Sequence, residues 1–317
     1  MPDRRTRLPF RRDRNSSARN LPRIVGQAHA ACCHSTKVTI SGTLRMKRHE
    51  SVPSILETDA TGETAAIYSD IRKLLGTSVV NLIWRNLATM PGALQWTWST
   101  VRPLYTGSAP VHAEAIRRTL PLPEVPGFSA DTLAAAGLQR SDLTAICNVL
   151  DSYQYTNALA LVVLSALLAL FEPLPVDALP PSDTAPLPPS VELPALPSMA
   201  ALSPEVVRLI EELNRFGEDS EPSLIASMYR HLAYWPAYLA LVRTMLVPLQ
   251  VDGRLDALTR TTRALGRAHG QLLASQLRPC RPPETGKDAL AACRLFVEHP
   301  IARMTGLCAM IRRATNG

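Results

Sequence analysis

Ten prolines fall between residues 173 and 204: 173, 175, 180, 181, 186, 188, 189, 194, 197 and 204. Proline fixes φ and carries no N–H, so neither a helix nor a central strand survives that density. Residues 173–203 therefore read as an extended connector, semi-rigid where prolines adjoin. The chain must build its core from what lies before and after it. Service as a Pro-rich ligand is a second use for such a stretch; a spacer is the default.

Both flanks read as helix after helix. Before the connector, Ile67, Ile71, Leu74 and Leu75 follow helical spacing and Gly76 ends the run. A second helix is expected from Val79 to Leu87, a third from Pro91 to about Tyr105, and shorter ones over 109–119, 129–136 and 140–152. Residues 158–171 (ALALVVLSALLALF) are apolar all round. Fourteen residues are short for a membrane span, so a buried central helix is expected. After the connector the pattern restarts in register. At a shift of 145, Ser78, Arg85, Leu87, Ala88, Pro91, Leu94, Pro103 and Leu104 meet identical residues at 223, 230, 232, 233, 236, 239, 248 and 249. One residue further on, Asp142 and Cys147 meet Asp288 and Cys293. The expected architecture is all-α: two tandem helical-bundle repeats, 51–172 and 204–317, forming an intramolecular pseudo-dimer with a cleft between them.

The charge of +7 belongs to one end. Residues 1–45 hold ten Lys/Arg against Asp3 and Asp13, and the remainder holds 24 bases against 25 acids. The body lacks the basic footprint of a nucleic-acid binder. Residues 1–50 read as a basic disordered tail without an apolar secretory core. An organelle leader, a nucleic-acid arm or an early start before Met46 are its other readings, and residues 36–44 alternate weakly like a strand. The six cysteines form no C-x-x-C, and Cys32-Cys33-His34 lies in the tail. Cysteines kept as small apolar residues are the usage of a reducing cytoplasm.

Several ordered blocks carry a family resemblance. They are E-x-x-x-I-Y-x-D-I-R (Glu63 to Arg72), L-A-T-x-P-G (Leu87 to Gly92), AAAGLQRSDL, the Tyr153-x-Tyr155-x-Asn157 run, and LAYWPAYL (Leu232 to Leu239). Together they resemble the group I, configuration-inverting 2-haloacid dehalogenases, also labelled halocarboxylic-acid dehydrogenases. That resemblance implies an all-α pseudo-dimer and a hydrolase that sends water directly at the halogen-bearing carbon of a small 2-halo carboxylic acid. It implies no cofactor and no metal; the charge of the body and the length of its apolar run speak against nucleic acid and membrane as partners, and a homodimer stays open.

The implied roles are carried over residue by residue. The family's water-positioning amide falls on Asn157. Its water-activating aspartate falls on Met228, with Ser227 matching the preceding serine, and a thioether accepts no proton from water. Val79, Leu82 and Tyr155 fall in the pocket with Met228. His231, one turn beyond Met228, is the candidate replacement base; Glu218, Asp219 and Glu221 serve only if a gap shifts the alignment. Arg303, the counterpart of Asn157, is a candidate carboxylate holder. Two readings follow: a dehalogenase scaffold impaired at its base, and a catalytically silent helical binder of a small carboxylic acid. A redox relative would need the missing C-x-x-C.

Overall fold

A computed structural model describes residues 52–175, 179–218 and 224–316. The tail with its Cys32-Cys33-His34 run, the strand-like stretch 36–44, Asp219 and Glu221 lie outside these. Among the described residues the regular structure is helical, and the only β pairing is an isolated bridge between Thr77 and Val191.

Helix α1 (Gly62–Leu75) ends where expected, because Gly76 turns left-handed at φ 58° and its N–H closes on the Arg72 carbonyl. A side chain there is excluded twice over, since a Cβ would sit 2.5 Å from that of Pro188. Helix α2 (Leu82–Leu87) starts three residues later than its apolar run. The Val80 N–H goes to the Glu57 carboxylate at 2.7 Å, and that of Val79 to the Thr77 hydroxyl at 3.4 Å. Side chains thus hold residues 77–81 in an irregular loop. Helices α3 (Ala93–Thr106), α4 (Ala109–Thr119) and α5 (Ala130–Ala135, capped by the Ser129 hydroxyl) follow.

The two helices expected over 140–171 are one. Helix α6 (Arg140–Phe171) runs 32 residues, about 48 Å, because the Tyr153–Asn157 interruption contains polar groups but no glycine or proline. By length and composition α6 is able to cross a membrane, yet 78% of its most apolar window is buried inside the fold. Neighbouring helices cover it, as expected for a central helix.

Beyond the connector come a 3₁₀ turn at Met199–Ala201, then α7 (Pro204–Leu213), α8 (Ser227–Leu232), α9 (Pro236–Val251), α10 (Arg254–Ala274) and α11 (Gly286–Phe296). A π turn, Val297–Ile301, leads into α12 (Ala302–Thr315). The wider turn accommodates Pro300, which has no N–H to give to the helix ladder. Each flank thus runs through a six-residue helix, a break, and a longer helix with Pro103 or Pro248 inside it; Pro91 lies in the first break and Pro236 is the first residue of the helix after the second.

The hydrophobic cores do not follow the connector. One gathers α1–α4, the C-terminal half of α6 and all of α11. The other gathers α7–α9, most of α12 and the N-terminal half of α6, through Ile146, Val149, Leu150 and Tyr153. Each flank therefore lends a helical segment to the other's core. Side chains fasten the exchange: Trp235 Nε1, before α9, donates to Asp142 of α6 at 3.0 Å, and Thr285, before α11, donates to the Pro91 carbonyl at 2.7 Å. Chain segments change core near residues 153–155 and near 297–304.

Candidate active site

A cavity of about 50 Å³ lies at that crossover, room for a few water-sized groups. Four stretches line it: 77–83, the α6 turn 152–157, 224–228, and selected residues between Phe296 and Met304. Leu193 of the connector closes it. The polar lining residues are Thr77, Asn81, Ser152, Tyr153, Thr156, Asn157 and Ser227. Among the described residues, none that lines the cavity is acidic, basic or a histidine.

Several polar groups satisfy one another. Ser152 Oγ donates to Thr77 Oγ1 at 3.1 Å, and Thr156 Oγ1 donates to the Ser152 carbonyl at 2.9 Å. Two amides keep capacity in hand. Asn157 makes no side-chain hydrogen bond among the described residues, and Asn81 Oδ1 is a buried acceptor without a partner.

Of the seven residues expected from the sequence, Asn157, Val79, Leu82, Ser227 and Met228 meet in this cavity. Tyr155 and His231 do not. Tyr155 is about 200° around α6 from both Tyr153 and Asn157 and faces a separate cleft with Arg117, Asp151 and Pro186. Met228 is fully buried, and its thioether accepts from the Cys308 thiol at 3.0 Å. His231 is fully buried behind the cavity wall. Its Nε2 lies 2.9 Å from the Pro194 carbonyl and its Nδ1 2.7 Å from Tyr153 Oη. A carbonyl only accepts, so Nε2 carries the hydrogen and Nδ1 is the bare acceptor that receives the Tyr153 hydroxyl. Burial pushes the His231 pKa down to about 4 and raises that of Tyr153, with a Ser227 hydrogen bond acting in the opposite sense.

The remaining candidates are committed elsewhere. Glu218 is buried against His299 Nδ1 at 3.0 Å and Arg303 at 3.4 Å. Arg303 also donates to the backbone carbonyl and side-chain oxygen of Asn214, so it holds protein groups rather than facing the cavity.

Sequence reasoning passed over Asn81, Ser152, Tyr153, Thr156 and Leu193 as site residues. For the α6 members a signal existed. Positions 152, 153, 156 and 157 form i, i+4 polar pairs on a helix that is otherwise apolar on that face. Nothing in the pattern of an isolated proline stretch marks Leu193 as a cavity wall.

The chain is 28% identical over 277 residues to the configuration-inverting 2-haloacid dehalogenase of Alcaligenes xylosoxydans xylosoxydans, covering 82% of this chain and 88% of that protein. This chain resembles the configuration-inverting 2-haloacid dehalogenases. Its fold also matches solved D-2-haloacid dehalogenases. A complex with L-LA superposes at TM-score 0.61 and 17% identity, covering 84% of this chain and 95% of that one. A mutant with D-2-CPA superposes at 0.55 and 18% identity, with the same shares of the two chains covered. No family model matches the chain. The dehalogenase resemblance thus rests on that relative's sequence, and the solved dehalogenases add the helical fold.

Proposed function

We propose that the crossover cavity binds a small 2-halo carboxylic acid and that its hydrolysis is impaired for want of a carboxylate base. The observation that carries this reading is the lining itself. A 2-haloacid dehalogenase-like scaffold presents two amides, several hydroxyls and an apolar wall, with Met228 at the position where the resemblance puts an aspartate. Asn157, with no side-chain hydrogen bond among the described residues, is the donor suited to a substrate carboxylate or a water, and Val79, Leu82 and Ile301 supply the apolar side. Removal of positioned acid–base assistance costs about 10²–10⁴-fold, so turnover is expected to be far below that of a carboxylate-bearing cavity. A silent binder of small carboxylic acids is the limiting case of the same reading.

The scaffold is proposed to be a duplicated unit. In support, the two cores exchange matching segments, and one matched pair of side chains donates to proline carbonyls, although those prolines themselves are four residues out of register. Asn86 donates to the Pro53 carbonyl at 2.8 Å, as its partner at the 145 shift, His231, does to that of Pro194.

The test is calorimetric binding of 2-chloropropanoate beside a halide-release assay, on the wild type and on Met228→Asp. Binding by both proteins, with release raised at least tenfold in the variant, supports the reading. Absence of binding in both refutes it.

A further inference from the structure

We propose that Tyr153 and His231 form the proton acceptor of this cavity, taking the proton of a water held against the Tyr153 hydroxyl. The inference rests on the cavity reading above and adds Tyr153 as the group through which His231, which does not line the cavity, would reach it.

Hydrogen-bond directions carry the argument. The Pro194 carbonyl fixes a hydrogen on His231 Nε2, so Nδ1 keeps its lone pair. Tyr153 Oη, 2.7 Å away, commits its own hydrogen to that lone pair. The phenol oxygen therefore meets its other neighbours only as an acceptor; Ser227 hydrogen-bonds to it, and its remaining lone pair is what a water would meet. Tyr153 lines the cavity one helical turn from Asn157, whereas His231 lies wholly behind it. Asn81, whose Oδ1 is buried without a partner, lines the same cavity and adds a second acceptor to it.

The step balances as follows. A water lone pair forms a C–O bond at C2 as the C–halogen bond breaks, and halide leaves with that bonding pair. One water proton passes to Tyr153 Oη while the Tyr153 proton passes to His231 Nδ1. The products are the 2-hydroxy acid, halide and a histidinium whose Nε2–H stays on the Pro194 carbonyl. The histidinium then returns its proton through Tyr153 to water. Burial disfavours the histidinium and the proton must cross one intervening hydroxyl, so the relay is a weaker acceptor than a carboxylate in the cavity, in keeping with the slow turnover proposed above.

The experiment compares wild type, Tyr153→Phe and His231→Gln, measuring 2-chloropropanoate affinity by calorimetry and halide release under saturating substrate. Glutamine is chosen because its amide can keep the donation to Pro194 while removing the proton acceptor. The expected result is slow but measurable wild-type release, a fall of 100-fold or more in kcat for both variants, and affinities within threefold of wild type. Release at the wild-type rate in either folded variant overturns the relay. So does wild-type protein that binds substrate and releases no halide. Failure of the wild type to bind substrate refutes the cavity reading instead, and the relay with it. Circular dichroism establishes folding, and the two substitutions act on opposite partners of one bond, so either suffices if the other does not fold.

Discussion

Replacing Gly270 by alanine is expected to destabilise the protein, although alanine is the better helix former. Gly270 lies in α10, where that helix crosses α6. A Cβ built on it falls 2.4 Å from Ser165 Cβ, 2.7 Å from the Ala166 nitrogen and 2.7 Å from the Ser165 carbonyl carbon. Ordinary carbon contacts are at about 3.5–4.0 Å, so the helices must part by roughly 1 Å. Two of the three atoms are backbone of the central helix and have no rotamer to change. Overpacking costs about 1–3 kcal/mol and at times more, and the rigidity of this contact puts it at the upper end. Helix propensity returns about 1 kcal/mol. The net loss is about 2 kcal/mol, a fall in melting temperature of roughly 3 °C for a chain of this size. Gly266 is the internal control. The nearest atoms to its Cβ would be side-chain atoms of Leu161, at 2.5–2.9 Å; that side chain is buried but, unlike backbone, can give by a change of rotamer, so Gly266→Ala should cost less. Melting curves of the two variants, followed by circular dichroism, decide the matter. A Gly270→Ala protein as stable as wild type would refute the close-packing argument.

Two further outcomes follow from buried polar groups. Burial holds His231 and His269 each near pKa 4, against about 6.5 when unfolded. Below 6.5 the unfolded chain takes up protons that these side chains refuse, so stability present at neutral pH is lost as pH falls from 6.5 toward 4; His269→Gln should flatten the melting temperature between pH 7.5 and 4.5, and an unchanged slope would count against this origin. Asn214 donates to the Leu224 carbonyl at 2.8 Å, accepts the Ala226 N–H at 3.0 Å and receives Arg303; Asn214→Ala leaves these buried partners unpaired and should cost about 2–3 kcal/mol by chemical denaturation, with weaker ligand binding because residues 224–226 line the cavity.

Helix type, most helix boundaries and the connector were legible because they depend on local spacing, glycine and proline. The late start of α2 was not, since the Glu57 carboxylate that takes the Val80 N–H is 23 residues away in sequence. The continuity of α6 was hidden by its polar turn, which looks like an interruption but contains no residue that breaks a helix. Grouping Asn157 and Met228 came from the resemblance. Placing Tyr155 beside them neglected helix phase, which puts Tyr153, not Tyr155, on the face of Asn157. The exchange of segments between cores depends on tertiary packing that no periodicity encodes, and it sets the location of the cavity.

The connector has unequal tolerance to change along its length. Leu187 is 88% exposed, and lengthening the chain beside it costs only a slowly growing loop entropy, about 0.6 kcal/mol per doubling. From Val191 onward the backbone is read atom by atom. Ser78 receives the Leu193 N–H, and His231, Tyr234 and Arg230 bond the carbonyls of Pro194, Ala195 and Pro197. A Gly-Ser tether of equal span would keep the two flanks in one polypeptide yet remove the side of the cavity that Leu193 closes. Insertions and length drift among natural variants should therefore collect before Pro188 and stop at Val191.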